Sequence, residues 1–269
     1  MNKILLVGCG HMGNALLTSW QRKTNFQFSV IDPIKYKKLN KKFSNRIKFY
    51  KNLEDIKNIH KFDVVIFAIR PQISKEIISK FHFLDKSTLF ISIIAGKKIS
   101  FFDKCLRSKK QIIRVMPNMP AFVEKSMSCL VAGKLTSKKN KTIANKLFDS
   151  VGSILWLPKE SDLDKITAIS GSGPAYYFLF IECMESIAMD YGFNKASAKL
   201  LIYQTALGSI SLLSKDIRSA SELKKSIAIK GGTTEAAIKV FEKKSVFKNI
   251  IKKAIKAAYL QSIKLGKNK

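Results

Sequence analysis

A run of strand length, Lys3–Val7, passes directly into Gly8-Cys9-Gly10-His11-Met12-Gly13, and the residues that follow carry Ala15, Leu16 and Trp20 at helical spacing. Strand, glycine turn and helix, in that order, constrain this chain more than any other feature it has. The string fits G-x-G-x-x-G in the context that gives it physical meaning. Gly8 permits the tight turn, Gly10 lets a diphosphate approach the backbone, and Gly13 lets helix and strand pack closely. The helix N-terminus then faces the phosphates, and dinucleotide binding is expected.

The next strand-like stretch, residues 26–32, ends in Asp32, 19 residues after Gly13, and is broken by Pro33. An acid there either accepts a hydrogen bond from the adenosine ribose, which points to NADH over NADPH, or forms the turn before Pro33. Lys35 and Lys37 stand close enough in sequence to blunt the first preference. Residues 47–50, 62–71, 88–96, 111–120 and 126–133 read as further strands, with a basic helix-like segment after Pro33, helical periodicity at Ile73, Ile77 and Ile78, and a helix over 142–152 closed by Gly152. Alternating elements of this kind predict an α/β fold: an N-terminal Rossmann-type, doubly wound and mostly parallel sheet. Beyond residues 153–158 the character changes. Helix-length segments follow at 163–191 (interrupted by GSGP), 195–214, 219–227, 233–243 and 246–265, with no convincing strand. The boundary is placed at Pro158, giving a dinucleotide-binding domain over 1–158 and an all-helical domain over 159–269. Wide apolar faces on those helices suggest burial against a second subunit.

The formal charge of +30 invites a nucleic-acid partner, but only six of the 49 basic residues are arginine, the better fork for phosphates and base edges. The lysines run along the whole chain, as on solvated faces, and no specific nucleic-acid binding is expected. No apolar run reaches the roughly 18 residues of a membrane span, and the short N-terminal one, ending in glycines, does not read as a signal peptide. Cys9, Cys105, Cys129 and Cys183 lie far apart without a CxxC pair, and the three histidines form no H-x-x-x-H pair. Neither a metal site nor a disulfide framework is expected, and free thiols fit a reducing cytoplasm.

Five further strings line up along the chain: AIRPQ at 68–72, ISIIAG at 91–96, RVMPNMPA at 114–121, SGSGPAY at 170–176 and GGTTEAA at 231–237. In their order and spacing the chain resembles the pyrroline-5-carboxylate reductases from residue 4 to about 240. The resemblance implies a Rossmann domain followed by a helical domain for substrate binding and dimerisation, assembled as a homodimer or a larger ring of dimers. It implies hydride transfer from NADPH or NADH to the imine carbon of 1-pyrroline-5-carboxylate, giving L-proline. Such a reaction needs a nicotinamide face to face with a flat five-membered ring, a site for the substrate carboxylate, and a proton on the imine nitrogen. For an imine that arrives already protonated, orientation supplies most of the rate.

By this resemblance Gly8, Cys9, Gly10, His11, Met12 and Gly13 hold the diphosphate, and Ala68, Ile69, Arg70 and Pro71 pass along the coenzyme. Arg70 replaces a more usual lysine there, or is simply a surface arginine. Ala95 and Gly96 flank the nicotinamide, and Asn52 touches the adenosine side, although its spacing differs from the family's. On the substrate side the loop Lys230, Gly231, Gly232, Thr233 and Thr234 would take the carboxylate: the two glycines leave backbone N–H groups bare, and Thr233 or Thr234 caps the following helix. Thr234 also hydrogen-bonds the ring nitrogen, or is a plain helix cap. Asn118 fixes a loop near the site or is purely structural, and Glu160 lies near the ring of the product or is an exposed charge. Where a serine is usual before GG the chain has Ile229, which leaves room for another cyclic imine as substrate; Lys230 either compensates or is an exposed turn lysine. The similar β-hydroxyacid dehydrogenases carry a lysine where this chain has Tyr177, which argues against alcohol oxidation. A basic protein that only senses NAD(P) is the remaining alternative.

Overall fold

The computed structural model describes residues 2–43 and 47–267. Eight strands form one sheet: β1 (Lys3–Val7), β2 (Gln27–Ile31), β3 (Lys48–Tyr50), β4 (Val64–Phe67), β5 (Leu89–Ser92), β6 (Gln111–Met116), β7 (Ser126–Ala132) and β8 (Gly152–Trp156), in the order β3-β2-β1-β4-β5-β6-β7-β8. Every neighbouring pair is parallel except β6 with β7. The doubly wound, mostly parallel sheet expected from the alternation of elements is therefore present. Its order reverses between β1 and β4, and ligands of such sheets bind outside the strand carboxyl ends at that point.

Alternation along the central strands divides the core. Ile4, Leu6, Val30, Ile66 and Ile91 face one layer with Leu16 and Trp20 of α1 (His11–Lys23) and Leu147 and Phe148 of α5 (Lys138–Asp149). Leu5, Val7, Val65, Phe67 and Phe90 face the other, with Ile78 of α3 (Ser74–Ser79) and Phe102 of α4 (Ile99–Cys105). Both faces are covered, so these strands read as continuous apolar runs rather than alternating ones. Trp20 has no exposed surface, stacks on Phe28 at 5.8 Å, and donates its indole N–H to Leu147 O at 2.8 Å.

Several expected boundaries shift for local reasons. The stretch 111–120 pairs only to Met116, because Pro117 and Pro120 lack ladder donors, and Met119–Val123 forms a 3-10 turn instead. Strands expected over 62–71 and 88–96 shorten to β4 and β5, the flanking residues forming turns that carry site motifs. The helix expected over 142–152 starts earlier, at Lys138, where the Ser137 hydroxyl accepts the Asn140 N–H at 3.2 Å, and ends at Asp149, so that Gly152 opens β8 instead of closing the helix. The short α2 (Tyr36–Lys42) follows Pro33, while α4 has no counterpart in the expected elements.

The remaining helices are α6 (Asp162–Ile166), α7 (Gly173–Asp190), α8 (Lys195–Lys215), α9 (Ala220–Ile227), α10 (Thr233–Glu242) and α11 (Val246–Lys267). The segment before GSGP is a π-turn, Thr167–Gly171, in which the Ser172 N–H reaches Thr167 O at 2.8 Å. Compact units are Met1–Ser172 with Ala258–Lys269, and Gly173–Ala257. In the second unit α7 is apolar all round: Tyr177, Phe178 and Leu179 are 66%, 57% and 60% exposed in the single chain. A helix of that composition belongs in a buried setting.

Candidate active site

Gly8 follows β1 with φ of +88°, in the left-handed region, and its amide donates to Ile31 O at 2.8 Å. A Cβ there would lie 2.7 Å from Ala68 O, so the turn after β1 is pressed against the turn after β4. Gly13 lies in the first turn of α1, where a Cβ would sit 2.8 Å from Gly8 O. Gly10 caps α1, and a Cβ added to it would meet no atom within 4 Å. The three glycines thus differ physically: two are needed for the protein's own packing, and Gly10 keeps the helix start open. The first turn of α1 carries no acid, so nothing within it opposes an anion at its N-terminus. These features fit a dinucleotide's diphosphate.

Asp32 is buried at the end of β2 and has three backbone partners. Its Oδ2 accepts the Cys9 N–H at 2.8 Å, and its Oδ1 accepts Ile34 N–H at 3.1 Å and Lys35 N–H at 2.7 Å. It forms the turn before α2 and also ties that turn to the glycine loop. Asn52 begins a short 3-10 turn, its N–H donating to Asp55 Oδ2 at 2.8 Å. Arg70 is exposed at the start of the turn Pro71–Ile73.

Because β6 and β7 are antiparallel, the loop between them lies at the same sheet end as the glycine turn. Asn118 is buried there: its Oδ1 accepts Met127 N–H at 2.9 Å, and its Nδ2 donates to Ser170 O at 3.1 Å. One amide side chain therefore ties the β6–β7 loop to the π-turn. A cleft of about 360 Å³ lies among these loops, lined by His11 and Met12 of the glycine turn, Met116 to Met119 and Phe122 of the β6–β7 segment, and Thr167, Gly171 and Ser172. Three segments more than forty residues apart converge on it. Met116, Phe122 and Thr167 were not singled out from the sequence; the first two stand in or beside RVMPNMPA, while Thr167 had no local signal.

Glu160 is half-buried and not the exposed charge that one reading expected. Its Oε1 accepts Arg114 Nη1 and the Ile99 N–H, both at 2.7 Å, so it pairs with a buried arginine of β6 and satisfies an amide at the start of α4. Glu124, with φ of +59° after the Met119–Val123 turn, pairs with Arg22 and Lys23 of α1 and accepts the Ser19 hydroxyl at 3.2 Å. Lys23 foremost, with Ser19 and Arg22, holds the Glu124 carboxyl below its ordinary range. A carboxyl so lowered contributes stability above its unfolded value and loses that contribution as pH falls through the lower folded one. Thermal midpoints of the wild type and Glu124→Gln, measured from pH 7 down to pH 3, are expected to lie apart at neutral pH and converge in acid.

In the second unit the GGTT loop departs from expectation in two respects. Gly232 is the N-cap of α10 and no side chain caps it; Thr233 and Thr234 are the first two helical residues. The glycine amides are also engaged, Gly231 N–H donating to Glu235 Oε2 at 2.8 Å and Gly232 N–H to Ile229 O at 3.0 Å. The amides left without an intrahelical carbonyl are those of Thr233, Thr234 and Glu235. Gly231, at φ of +77°, makes the turn that aims them. The Gly231 amide, then Lys239, holds the Glu235 carboxyl below its ordinary range. Ile229 and Lys230 are both exposed, and a Cβ on Gly232 would meet Ile229 Cγ1 at 3.2 Å.

Burial pushes the Cys105 and Cys129 thiols up, away from nucleophilic use. Among the described residues there is no group of three or more His, Cys, Asp or Glu side chains able to hold a metal, and no helix is long and apolar enough to cross a membrane.

The sequences of both units match known proteins. Residues 160–265 match the family model "Pyrroline-5-carboxylate reductase dimerisation", and residues 3–96 match "NADP oxidoreductase coenzyme F420-dependent". The chain is 32% identical over 269 residues to the pyrroline-5-carboxylate reductase of Haemophilus influenzae, covering 96% of each protein, and 36% identical over 207 residues to that of Vibrio alginolyticus, covering 76% of each. Among solved structures, the pyrroline carboxylate reductase of Plasmodium falciparum, with NADP bound, superposes with a TM-score of 0.87 at 29% identity, and the pyrroline-5-carboxylate reductase of Coxiella burnetii with 0.88 at 28%; each match covers 98% of both chains. With the glycine turn, the β6–β7 loop and the GGTT turn all inside a match that spans nearly its whole length, this chain belongs to the pyrroline-5-carboxylate reductase family.

Proposed function

We propose that the protein reduces 1-pyrroline-5-carboxylate to L-proline with a reduced nicotinamide dinucleotide. The observation that supports this most is the cleft where the glycine turn, the Asn118 loop and the π-turn converge at the carboxyl end of the sheet. Gly8, Cys9, Gly10, His11, Met12 and Gly13 hold the diphosphate, Ala68 to Pro71 and Ala95–Gly96 flank the coenzyme, and Asn52 serves the adenosine side. When bound, the reduced nicotinamide supplies hydride to the imine carbon. The amides of Thr233 and Thr234, with Lys230, Gly231 and Gly232 shaping their turn, bind the substrate carboxylate. The Thr234 hydroxyl orients the ring nitrogen and its proton. Asn118 fixes the loop beside the ring, and Glu160 supports the wall near the product through Arg114 and Ile99. Substrate turned over with coenzyme deuterated at the transferred position is expected to give proline carrying one deuterium on the former imine carbon, read by mass spectrometry. Proline without the label would overturn the assignment.

For the coenzyme, we read Asp32 as favouring NADH: three amides pin its carboxylate, so it cannot swing away from an incoming ribose phosphate. Asp32→Asn removes the charge while keeping an acceptor for the α2 turn. The ratio of kcat/KM for NADPH over NADH is expected to rise by about tenfold or more. An unchanged ratio would remove Asp32 from coenzyme choice. The exposed apolar faces of α7 and α8 support a homodimer, or a ring of dimers, as the working form, and the four cysteines, none of them in a disulfide, support a cytoplasmic setting.

A further inference from the structure

The last two turns of α11 group with the sheet, and they meet it through one face of the helix. Tyr259, Ser262 and Gly266 stand at i, i+3 and i+7, a single stripe. Ser262 is buried and donates its hydroxyl to Asp164 Oδ1 of α6 at 2.8 Å. Tyr259, on the same stripe, is half-buried. Gly266 closes the stripe against the turn after β5. A Cβ on Gly266 would fall 2.7 Å from Gly96 O, and one on Gly96 would fall 2.9 Å from Gly266 N. Two backbones, 170 residues apart, thus touch with no room for a side chain on either.

The elements gripped by this stripe are not arbitrary. Gly96, at φ of +76°, turns the chain after β5, and α6 leads directly into the π-turn whose Thr167 and Gly171 line the cleft. The C-terminal turns of the helix therefore touch both the turn read as backing the nicotinamide and the helix that carries one cleft wall. Neither Gly266 nor Ser262 reaches the cleft lining itself. We propose that the Gly266 end of α11 is a positioning element for hydride transfer: by seating on Gly96 it sets where the nicotinamide-flanking turn stands relative to the ring. This rests on the reading of Ala95–Gly96 as the nicotinamide wall.

The consequence is a division of labour. On this reading coenzyme affinity rests mainly on the glycine turn and Asp32, remote in sequence from this contact, whereas the rate depends on the ring's placement, to which a shift of about 1 Å can matter by up to 10²-fold. Gly266→Ala, whose methyl must push Gly96 O aside, is expected to lower kcat per bound coenzyme by about tenfold and to raise the primary deuterium isotope effect on kcat. The dissociation constant of reduced coenzyme, read by its fluorescence, should stay within about threefold, and the same titration gives the fraction of competent protein. A chain ending at Leu265 removes the seat instead of crowding it and is expected to change kcat and isotope effect in the same direction, so a folding defect in the alanine variant alone does not decide the matter. Ser262→Ala, which leaves Gly96 untouched, should alter kcat far less. If both the alanine variant and the shortened chain keep the wild-type kcat and isotope effect, the positioning role is wrong. If the wild type itself binds coenzyme but turns over no imine, the function assigned above is what fails; Gly266→Ala should then still alter the fluorescence of bound reduced nicotinamide, and no such change would overturn the positioning role as well.

Discussion

Replacing Thr234 by alanine is expected to lower kcat on 1-pyrroline-5-carboxylate by about 10²-fold, the lower end of what positioning or donating a proton supplies. Thr234 is the second residue of α10 and neither caps the helix nor lies in a core, so its loss should leave the thermal midpoint almost where it was. Thr234→Ser retains the hydroxyl and is expected to recover most of the rate. A structural role would give the reverse pattern: a lowered midpoint with kcat intact, and no difference between alanine and serine. Because the backbone amides of Thr233 and Thr234 persist in either variant, KM for the imine should rise less than kcat falls.

Gly8→Ala is expected to damage both fold and function, and Gly10→Ala function alone. At Gly8 the new methyl would meet Ala68 O and Ile69 Cγ2, both at 2.7 Å, from a backbone at φ of +88°. Strain of about 1–3 kcal/mol at that angle adds to the displacement of the turn after β4. Coenzyme affinity should fall by about 10²-fold as the two turns move apart. At Gly10 the methyl meets nothing of the protein within 4 Å, and φ of −64° suits alanine, so stability changes only by the poorer helix cap, about 1 kcal/mol at most. The methyl occupies the approach of the diphosphate, and coenzyme affinity should fall steeply even so. Fluorescence titration with reduced coenzyme beside thermal unfolding separates the two cases. Equal affinity in the wild type and Gly10→Ala would mean that the open helix start is not where a diphosphate binds.

What could be read from the chain alone follows the range of the physics involved. Apolar runs bounded by glycine and proline located β1 to β7 to within a few residues, because a strand covered on both faces, as most of these are, leaves a continuous signal; β8, where no residue is fully buried, was not read as a strand. The helices of the second unit were legible as helix-length segments, a signal that is likewise local. The seven-residue α4 escaped because two turns are too short for periodicity to declare itself. The π-turn at Thr167–Gly171 escaped because an i to i+5 bond leaves almost the same apolar spacing as a regular helix.

The site divides in the same way. The glycine turn announces itself in a window of a few residues. That Glu160 bonds Arg114 and the Ile99 amide, that Asn118 reaches Ser170, and that Gly96 touches Gly266 are pairings across 46 to 170 residues, and no local pattern encodes them. The GGTT loop was legible as a motif but not in its bonding. Bare glycine amides were expected at the anion site, yet Glu235 and the Ile229 carbonyl take both, and the amides left over are those of the threonines that follow directly. Residue identity indicated where to look; which amide is left over depended on the turn geometry.

The most direct test is the steady-state oxidation of NADH and of NADPH by the purified protein with 1-pyrroline-5-carboxylate, set beside the six-membered cyclic imine carboxylate. Rapid turnover on the five-membered ring, with the higher kcat/KM for NADH, is the expected result. Folded protein that binds a dinucleotide but oxidises neither coenzyme with either imine would contradict the account.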